Sequence, residues 1–179
     1  VLGGHVQQAG SLVHPDYLRF DLTHFEKISS DQIERIEKIV NDEITKNTEL
    51  DVSVKPYDDA KNEGAVAMFG EKYGDEVRVI TVGDYSKELC GGTHVERTGD
   101  IGFFKIIEES SLASGVRRVV AVTGPESVSF VQNQSLTLSD IKSQLNCSLD
   151  SISERISQLI SDKKLLEKKL KNNRKLSSN

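Results

Sequence analysis

The chain has 179 residues, with 23 basic and 28 acidic side chains and a formal net charge of −5. This length, with 36% hydrophobic residues, allows one medium domain with an appendage. No apolar run approaches the roughly 18 residues of a membrane span, and no charged-then-apolar leader opens the chain. Cys90 and Cys147 give no disulfide framework, so reduced thiols in a cytoplasmic protein are expected. Membrane, collagen-like and disulfide-scaffold classes are therefore excluded.

The charge is distributed unevenly along the chain. Residues 1–148 carry a net charge of −9, whereas residues 149–179 carry +4. A split of this kind indicates two parts with different roles. Because Met68 is the only methionine, we expect the chain to be part of a longer protein.

Alternating and amphipathic patterns predict the elements of the first part of the chain. Alternation of apolar and polar residues predicts a strand over 18–23. Helical spacing predicts a helix over 31–46. Its capping box is formed either by Ser29 with Gln32 or by Asp31 with Glu34. The later elements predicted are strands over 50–54, 65–69, 77–82, 102–108 and 116–123, and a short helix over 58–63.

After Gly124 and Pro125 no strand signal follows, and the apolar residues change to a heptad spacing. The heptad positions are 145, 149, 152, 156, 159, 163, 166 and 170, and only Lys163 interrupts the apolar series. This spacing predicts a coiled coil or a helical hairpin. Three interpretations remain open: self-association through residues 145–170, pairing with a partner helix, and packing of one amphipathic helix on its own domain. Lys163 argues against a long homodimer.

The predicted fold class is α+β. A mixed or antiparallel sheet body packed with helices is expected over residues 1–124, followed by a helical, coiled-coil-like extension over 125–179. The basic residues of this extension either bind a phosphate backbone or form a solvated helix face.

The strongest chemical signal is the loop sequence Cys90-Gly-Gly-Thr-His94. A thiolate and an imidazole at this spacing, separated by residues that allow a tight loop, are typical of half a zinc site. Zinc takes four ligands in a structural site, or three and a water in a catalytic one. A second interpretation is a Cys–His nucleophile pair, although no cation follows the thiol in sequence before Arg97. A third is a loop cysteine beside a surface histidine.

Two further places carry polar side chains of interest. Gln8 follows another glutamine near a small-residue turn, which fits a binding role or an ordinary solvated loop. Arg117 and Arg118 are adjacent in a predicted strand and point to opposite faces, so at most one points into a cleft. Arginine forks bind phosphate and carboxylate groups, and an edge-strand arginine in a structural ion pair is the alternative.

Several segments together resemble the editing domain of alanyl-tRNA synthetases. The segments are VLGGHVQQAGSLV (1–13), LRFDLTH (18–24), GAVAMFGEKYGD (64–75), ELCGGTH (88–94), TGDIG (98–102) and GVRR (115–118). They occur in the family's order and are highly specific in combination. The resemblance implies hydrolysis of the ester of Ser-tRNA(Ala) or Gly-tRNA(Ala), because a synthetase pocket tuned to alanine discriminates only about 10²-fold against near-isosteres.

The resemblance also implies roles for individual residues. Gln8 matches a glutamine that lines the editing pocket, and Arg117 matches an arginine near that pocket, so both are expected to bind substrate. With Cys90 they form the expected catalytic set. Arg19 and Asp21 match a strand beside the site, which they would support through a mutual ion pair.

Cys90 and His94 match the second half of the family's zinc quartet, whose first half is a His-Thr-Ala-Thr-His motif upstream of residue 1. We therefore expect zinc and editing activity in a longer parent protein, but poor zinc binding and poor editing from this chain. ATP would be used only by a catalytic domain outside this chain. The expected partner is the acceptor end of tRNA(Ala), with no membrane. A freestanding alanyl-tRNA editing protein and an inactive helical interaction module are the alternatives.

Overall fold

The computed structural model describes residues 1–67 and 73–176. The strands are β1 (Gln8–Val13), β2 (Leu18–Thr23), β3 (Leu50–Pro56), β4 (Glu76–Val82), β5 (Ser86–Leu89), β6 (Lys105–Ala113) and β7 (Val116–Val122). The helices are α1 (Ser30–Thr45), α2 (Tyr57–Asn62), α3 (Gly124–Leu145) and α4 (Ile152–Leu176), with 3₁₀ turns at Thr98–Ile101 and Leu149–Ser151. The strands pair antiparallel in two sheets, ordered β1-β2-β7-β6 and β3-β4-β5. This architecture confirms the predicted α+β class.

Each sheet packs against one helix and buries its own apolar cluster. The four-stranded sheet and α1 bury Leu22, Ile28, Ile44, Phe104, Ile106, Val119 and Ala121. The three-stranded sheet and α2 bury Ala60, Ala65, Val77, Val79 and Leu89. The buried Thr98 hydroxyl joins the two layers, because it donates to the carbonyl of Glu43 in α1 (3.0 Å) and accepts the N–H of Thr48 just before β3 (2.9 Å). The site residues on both sheets are therefore carried by one packed body.

The first helix begins at a complete capping box, as one of the two predicted alternatives requires. The Ser29 hydroxyl accepts the N–H of Gln32 (3.2 Å), and the Gln32 side-chain carbonyl accepts the N–H of Ser29 (2.9 Å). Two N–H groups that the first helical turn leaves unpaired are satisfied in this way. The pair of Ser29 and Gln32, and not that of Asp31 and Glu34, therefore caps the start of α1.

Replacement of Ser29 by alanine is expected to lower the free energy of unfolding by about 1 kcal/mol, because the Gln32 N–H loses its acceptor. Urea unfolding followed by circular dichroism measures the change. The matched control is Ser30→Ala, one residue inside the helix, where alanine is the better helix former. An equal loss from both variants would contradict the capping role.

The sequence patterns do not predict β1 and β5, which are corrections to the expected element order. β1 carries Gln8, Gly10 and Ser11 in place of alternating apolar residues, and a bulge lies between Gln8 and Gly10. Both strands lie at sheet edges, and β5 is joined on its outer side by an isolated bridge to Val66, so few of their side chains are buried. The solvated loop considered for Gln8 is therefore wrong.

The predicted strand over 65–69 is also wrong in its described part. Only Val66 pairs there, in one isolated parallel bridge with Glu88. The rest of that strand, residues 68 and 69, lies outside the described residues.

The hairpin between β6 and β7 depends on a glycine. Ala113 pairs with Val116, which leaves a loop of Ser114 and Gly115. Gly115 has φ +72°, and a Cβ there would lie 2.9 Å from the Phe25 ring. Only glycine fits this backbone and this contact, so the loop fixes the register that places the arginines of β7.

The chain divides into two compact units, Val1–Ser129 and Phe130–Asn179. The predicted boundary between residues 124 and 125 stays a prediction, and α3 starts beside it at Gly124. In the described part of the chain, no helix is long and apolar enough to cross a membrane.

The heptad pattern does not correspond to one helix. Asn146 has φ +49°, its N–H bonds to Ser143, and the Cys147 N–H bonds to Lys142, which together form a Schellman motif at the end of α3. The first two heptad positions therefore lie outside α4, which begins at Ile152. The heptad residues of α4 that are exposed are Ile156, Leu159, Leu166 and Leu170, whereas Ile152 is half-buried, and self-association through 145–170 stays a prediction.

Candidate functional site

The predicted site residues fall into two groups in the first unit. Cys90 and His94 lie in the loop directly after β5, on the three-stranded sheet, whereas Gln8 and Arg117 lie on the four-stranded sheet. Among the described residues, no hydrogen bond or ion pair joins one group to the other. The structure therefore places Cys90 and His94 on one sheet and Gln8 and Arg117 on the other, without a hydrogen bond or ion pair of the described residues that joins all four.

The loop from Cys90 to His94 is held by an arginine of the neighbouring strand. Arg78 in β4 donates from Nη1 to the carbonyl oxygens of Cys90 (2.8 Å) and Gly92 (2.6 Å). The Cys90 N–H in turn bonds to the Arg78 carbonyl (3.2 Å). The thiol-bearing residue is half-buried and His94 is exposed, so both side chains are within reach of a ligand from solvent.

The two predicted zinc ligands do not by themselves fit the ion. No group of three or more histidine, cysteine, aspartate or glutamate side chains is placed to hold a metal within residues 1–67 and 73–176. A closed zinc site needs four such ligands and a catalytic one needs three. The described residues therefore offer Cys90 and His94 as two of the ligands that zinc needs, and the poor zinc binding expected of this chain stays a prediction.

Gln8 and Arg117 lie in one row across the four-stranded sheet. Gln8 is opposite Leu22 on β2, and Leu22 is opposite Arg117 on β7. Residues that face each other in neighbouring strands share a face, so both polar residues lie on the Leu22 face, about 10 Å apart. The Gln8 amide bonds to the Ser11 hydroxyl (3.2 Å) and remains partly exposed. This row is the candidate substrate-binding surface.

An apolar cavity of about 460 Å³ adjoins this row. Leu22 lines it, together with residues of α1 such as Ile36 and Val40. Its lining side chains are apolar apart from Tyr85. The cavity can take an apolar group, but it supplies no acid or base for chemistry.

The guanidinium of Arg117 is engaged in a buried ion pair. Its Nε donates to Oε1 of Glu109 in β6 (2.6 Å), and the same oxygen accepts the N–H of Ile28 (3.3 Å). The Glu109 side chain is only 4% exposed and that of Arg117 13%. The prediction of a structural ion pair is therefore confirmed for Arg117. The prediction of an edge strand is wrong, because β7 lies between β2 and β6. Substrate binding by Arg117 stays a prediction.

The opposite face of the sheet carries a second ion-pair cluster. Arg118 donates to both carboxylate oxygens of Asp21, from Nε (2.7 Å) and Nη2 (2.9 Å). Arg19 lies beside the same carboxylate, with its Nε 3.4 Å from Oδ2. The hydrogen bonds from Arg118 lower the pKa of Asp21, against the opposing effect of burial. The mutual ion pair expected for Arg19 and Asp21 is present, but Arg118 makes the shorter contacts.

Two histidines that the sequence leaves unpaired meet in the structure. His5 Nε2 lies 2.9 Å from His24 Nδ1, with the rings stacked 5.2 Å apart. His24 is buried directly after β2, and its backbone N–H donates to the Gly115 carbonyl oxygen (2.9 Å). The pair ties the segment before β1 to the sheet.

Sequence reasoning missed Arg78 and Glu109. The charge of Arg78 between two buried valines of β4 was a signal, because a charged side chain inside an apolar strand needs a partner. No such signal marks Glu109, since the irregularity between Ile106 and Glu108 breaks the alternation that would assign its face.

Part of the first unit matches a known protein family. Residues 77–120, which include most of β4, the Cys90 loop and most of β7, match the family described as threonyl and alanyl tRNA synthetase second additional domain. This part of the chain is therefore similar to a domain of aminoacyl-tRNA synthetases.

Most of the chain is similar to alanine–tRNA ligases. Over 170 residues, or 95% of this chain, it is 51% identical to the alanine–tRNA ligase of Pseudoalteromonas translucida (strain TAC 125) and 48% identical to that of Fervidobacterium nodosum (strain ATCC 35602 / DSM 5306 / Rt17-B1). The alanine–tRNA ligase of Burkholderia vietnamiensis (strain G4 / LMG 22486) is 51% identical over the same length. The chain spans about one fifth of each of these relatives. The chain is therefore similar to a region of alanine–tRNA ligases, which confirms the resemblance found in the motifs.

Proposed function

We propose that this chain contributes to the hydrolysis of Ser-tRNA(Ala) and Gly-tRNA(Ala) within a longer alanine–tRNA ligase. The observation that supports the proposal is the Cys90–His94 loop, which a charged side chain holds in place within the matched segment 77–120. A loop of two glycines so restrained is typical of a binding site and not of a plain connection.

The substrate class follows from discrimination between small amino acids. A pocket that accepts alanine rejects serine and glycine by only about 10²-fold, because one hydroxyl or methyl group changes the binding free energy little. A separate hydrolytic site removes the wrong ester after it has formed. Water attacks the carbonyl carbon of the aminoacyl ester, the bond to the ribose oxygen breaks, and free amino acid and tRNA leave.

The residues of this chain bind and orient that ester in the proposal. The amide of Gln8 donates a hydrogen bond to the carbonyl oxygen, where negative charge develops during attack. Arg117 uses its remaining N–H groups for a phosphate of the acceptor end, while Glu109 fixes its orientation. Because residues 1–148 carry a net charge of −9, tRNA is bound by such local groups and not by overall attraction.

Zinc belongs to the proposal only for the parent protein. Cys90 and His94 would supply two ligands, and two more would come from residues outside this chain. Bound there, the ion would support folding of the site or act on the ester as a Lewis acid. The acceptor end of tRNA(Ala) is the proposed partner, and the cytoplasm the proposed location.

A deacylation assay on Ser-tRNA(Ala) tests the proposal. We expect a polypeptide extended upstream through the His-Thr-Ala-Thr-His motif to hydrolyse the ester about 10²-fold faster than the 179-residue chain, the size of effect that loss of one oxyanion donor produces. In the extended polypeptide, Gln8→Ala is expected to lose a similar factor. Zinc content of both proteins is measured in the same preparations.

The matched control is Cys147→Ala, the other cysteine, which lies outside the first unit and is expected to leave hydrolysis unchanged. Equal activity of the short and the extended polypeptide, or one tightly held zinc per short chain, would overturn the claim that the two ligands here are insufficient. An extended polypeptide without hydrolysis would overturn the proposed function itself.

A further inference from the structure

We propose that Arg78 is the positioning residue of the Cys90–His94 loop. One guanidinium nitrogen holds the backbone of the loop at two of its carbonyl oxygens and thereby orients the side chains of Cys90 and His94. What the loop does rests on the proposed function, whereas its restraint by Arg78 stands on the geometry alone.

The loop has little else to hold it. A Cβ added at Gly91 would meet no atom within 4 Å, so this residue lies in open space and packing does not restrain it. Glycine also has the largest freedom of backbone conformation to lose on ordering. A loop of this composition needs specific hydrogen bonds to keep one conformation, and the carbonyl oxygens of Cys90 and Gly92 find their donor in Arg78.

The arginine is itself placed on a rigid element. Arg78 lies in β4, the middle strand of the three-stranded sheet, paired with Val54 on one side and flanked by the buried Val77 and Val79. Carbonyl oxygens only accept and a guanidinium only donates, so both contacts, which come from Nη1, have one direction. A support built on a central strand holds a site more accurately than one built on a loop.

The same contacts reach the imidazole. The His94 Nδ1 lies 3.0 Å from the Gly92 carbonyl oxygen and 3.3 Å from Arg78 Nη1. With the proton on Nδ1, the ring donates to the Gly92 carbonyl and keeps the Nε2 lone pair free for a ligand. Arg78 fixes that carbonyl, so it sets the orientation of the ring through Gly92.

NMR relaxation on the 179-residue chain tests the inference without tRNA or metal. We expect backbone order parameters near 0.85 for residues 91–94 in the unmodified chain. Values below about 0.6 are expected in Arg78→Gln, which lacks the guanidinium that donates to the loop. Arg78→Lys, which keeps one charged donor on a shorter side chain, is expected to give intermediate values. Unchanged order parameters in Arg78→Gln would overturn the inference.

Two further measurements keep the test decisive. The control Arg97→Gln removes an exposed arginine just beyond the loop that pairs with Glu49, and it is expected to leave residues 91–94 ordered. If Arg78→Gln does not fold, the unmodified chain decides: hydrogen bonds that hinder rotation are expected to give the Arg78 Nη1 and Nη2 protons separate signals. One averaged signal would overturn the inference.

Activity separates this inference from the proposed function. In the extended polypeptide, Arg78→Gln is expected to lower Ser-tRNA(Ala) hydrolysis about 10-fold to 100-fold, the usual effect of removing a residue that supports a ligand. A loop that loses its order in a protein that never hydrolyses the ester would leave Arg78 as a positioning residue and remove the proposed function. An Arg78→Gln variant that keeps an ordered loop but loses activity would overturn the positioning role and leave the proposed function.

Discussion

Replacement of Glu109 by alanine is expected to lower the free energy of unfolding by about 4 kcal/mol, the largest stability change from a single side chain that we expect in this molecule. The carboxylate is 4% exposed, and its Oε1 accepts from Arg117 on β7 and from the N–H of Ile28 before α1. Without it a buried guanidinium and a backbone N–H lose their acceptor. Urea unfolding of the purified chain measures the change.

Two variants sharpen this prediction. Glu108→Ala removes the neighbouring exposed carboxylate and is expected to change stability by no more than about 0.5 kcal/mol. Glu109→Leu combined with Arg117→Met replaces the whole pair by apolar groups, and a large part of the stability is expected to return. A double variant as unstable as Glu109→Ala would contradict the view that the unpaired charge causes the loss.

Replacement of Asp21 by asparagine is expected to cost about 2 kcal/mol at pH 7, because a carboxylate that accepts two hydrogen bonds from Arg118 becomes neutral. The residue is 5% exposed and its pKa is lowered by those bonds. Its contribution is therefore complete above the unfolded-state pKa of about 3.9 and disappears as the pH falls through the lower folded-state value.

Urea unfolding of both proteins between pH 7 and pH 2 checks this sign. The difference between them is expected to stay constant down to about pH 4 and to shrink below it. Asp16→Asn is the matched control, because that carboxylate is 74% exposed and its loss is expected to matter little at any pH. A difference that grows on acidification would contradict the assignment of the depressed pKa to this ion pair.

Much of the fold follows from patterns that a single element carries. The period-2 alternation of residues 18–23 and the capping box at Ser29 depend on neighbours in sequence. The alternation predicts β2 correctly, and the Ser29 box is one of the two caps that the sequence predicts. The edge strands β1 and β5 bury few side chains and so leave no pattern to read. The heptad across residues 145–152 has the right spacing for one helix, but the left-handed backbone of Asn146 ends α3 there.

The candidate site shows the same division. Cys90 and His94 are close in sequence, and their spacing alone marks them as a pair with chemistry. Arg78, which holds their loop, is separated from Cys90 by a strand and a turn, so only the pairing of β4 with β5 brings it there. The alignment of Gln8 with Arg117 likewise needs the register of three strands, including the bulge in β1.

The sequence by itself determined the family resemblance, the α+β class and the residues with the chemistry of a site, because these depend on residue types at short spacing. The tertiary structure decided which charges meet. It paired Arg117 with Glu109, Arg118 with Asp21 and Arg78 with the Cys90 loop. An ion pair between strands depends on register and on which face is buried, and neither is encoded by the spacing of residues along one strand.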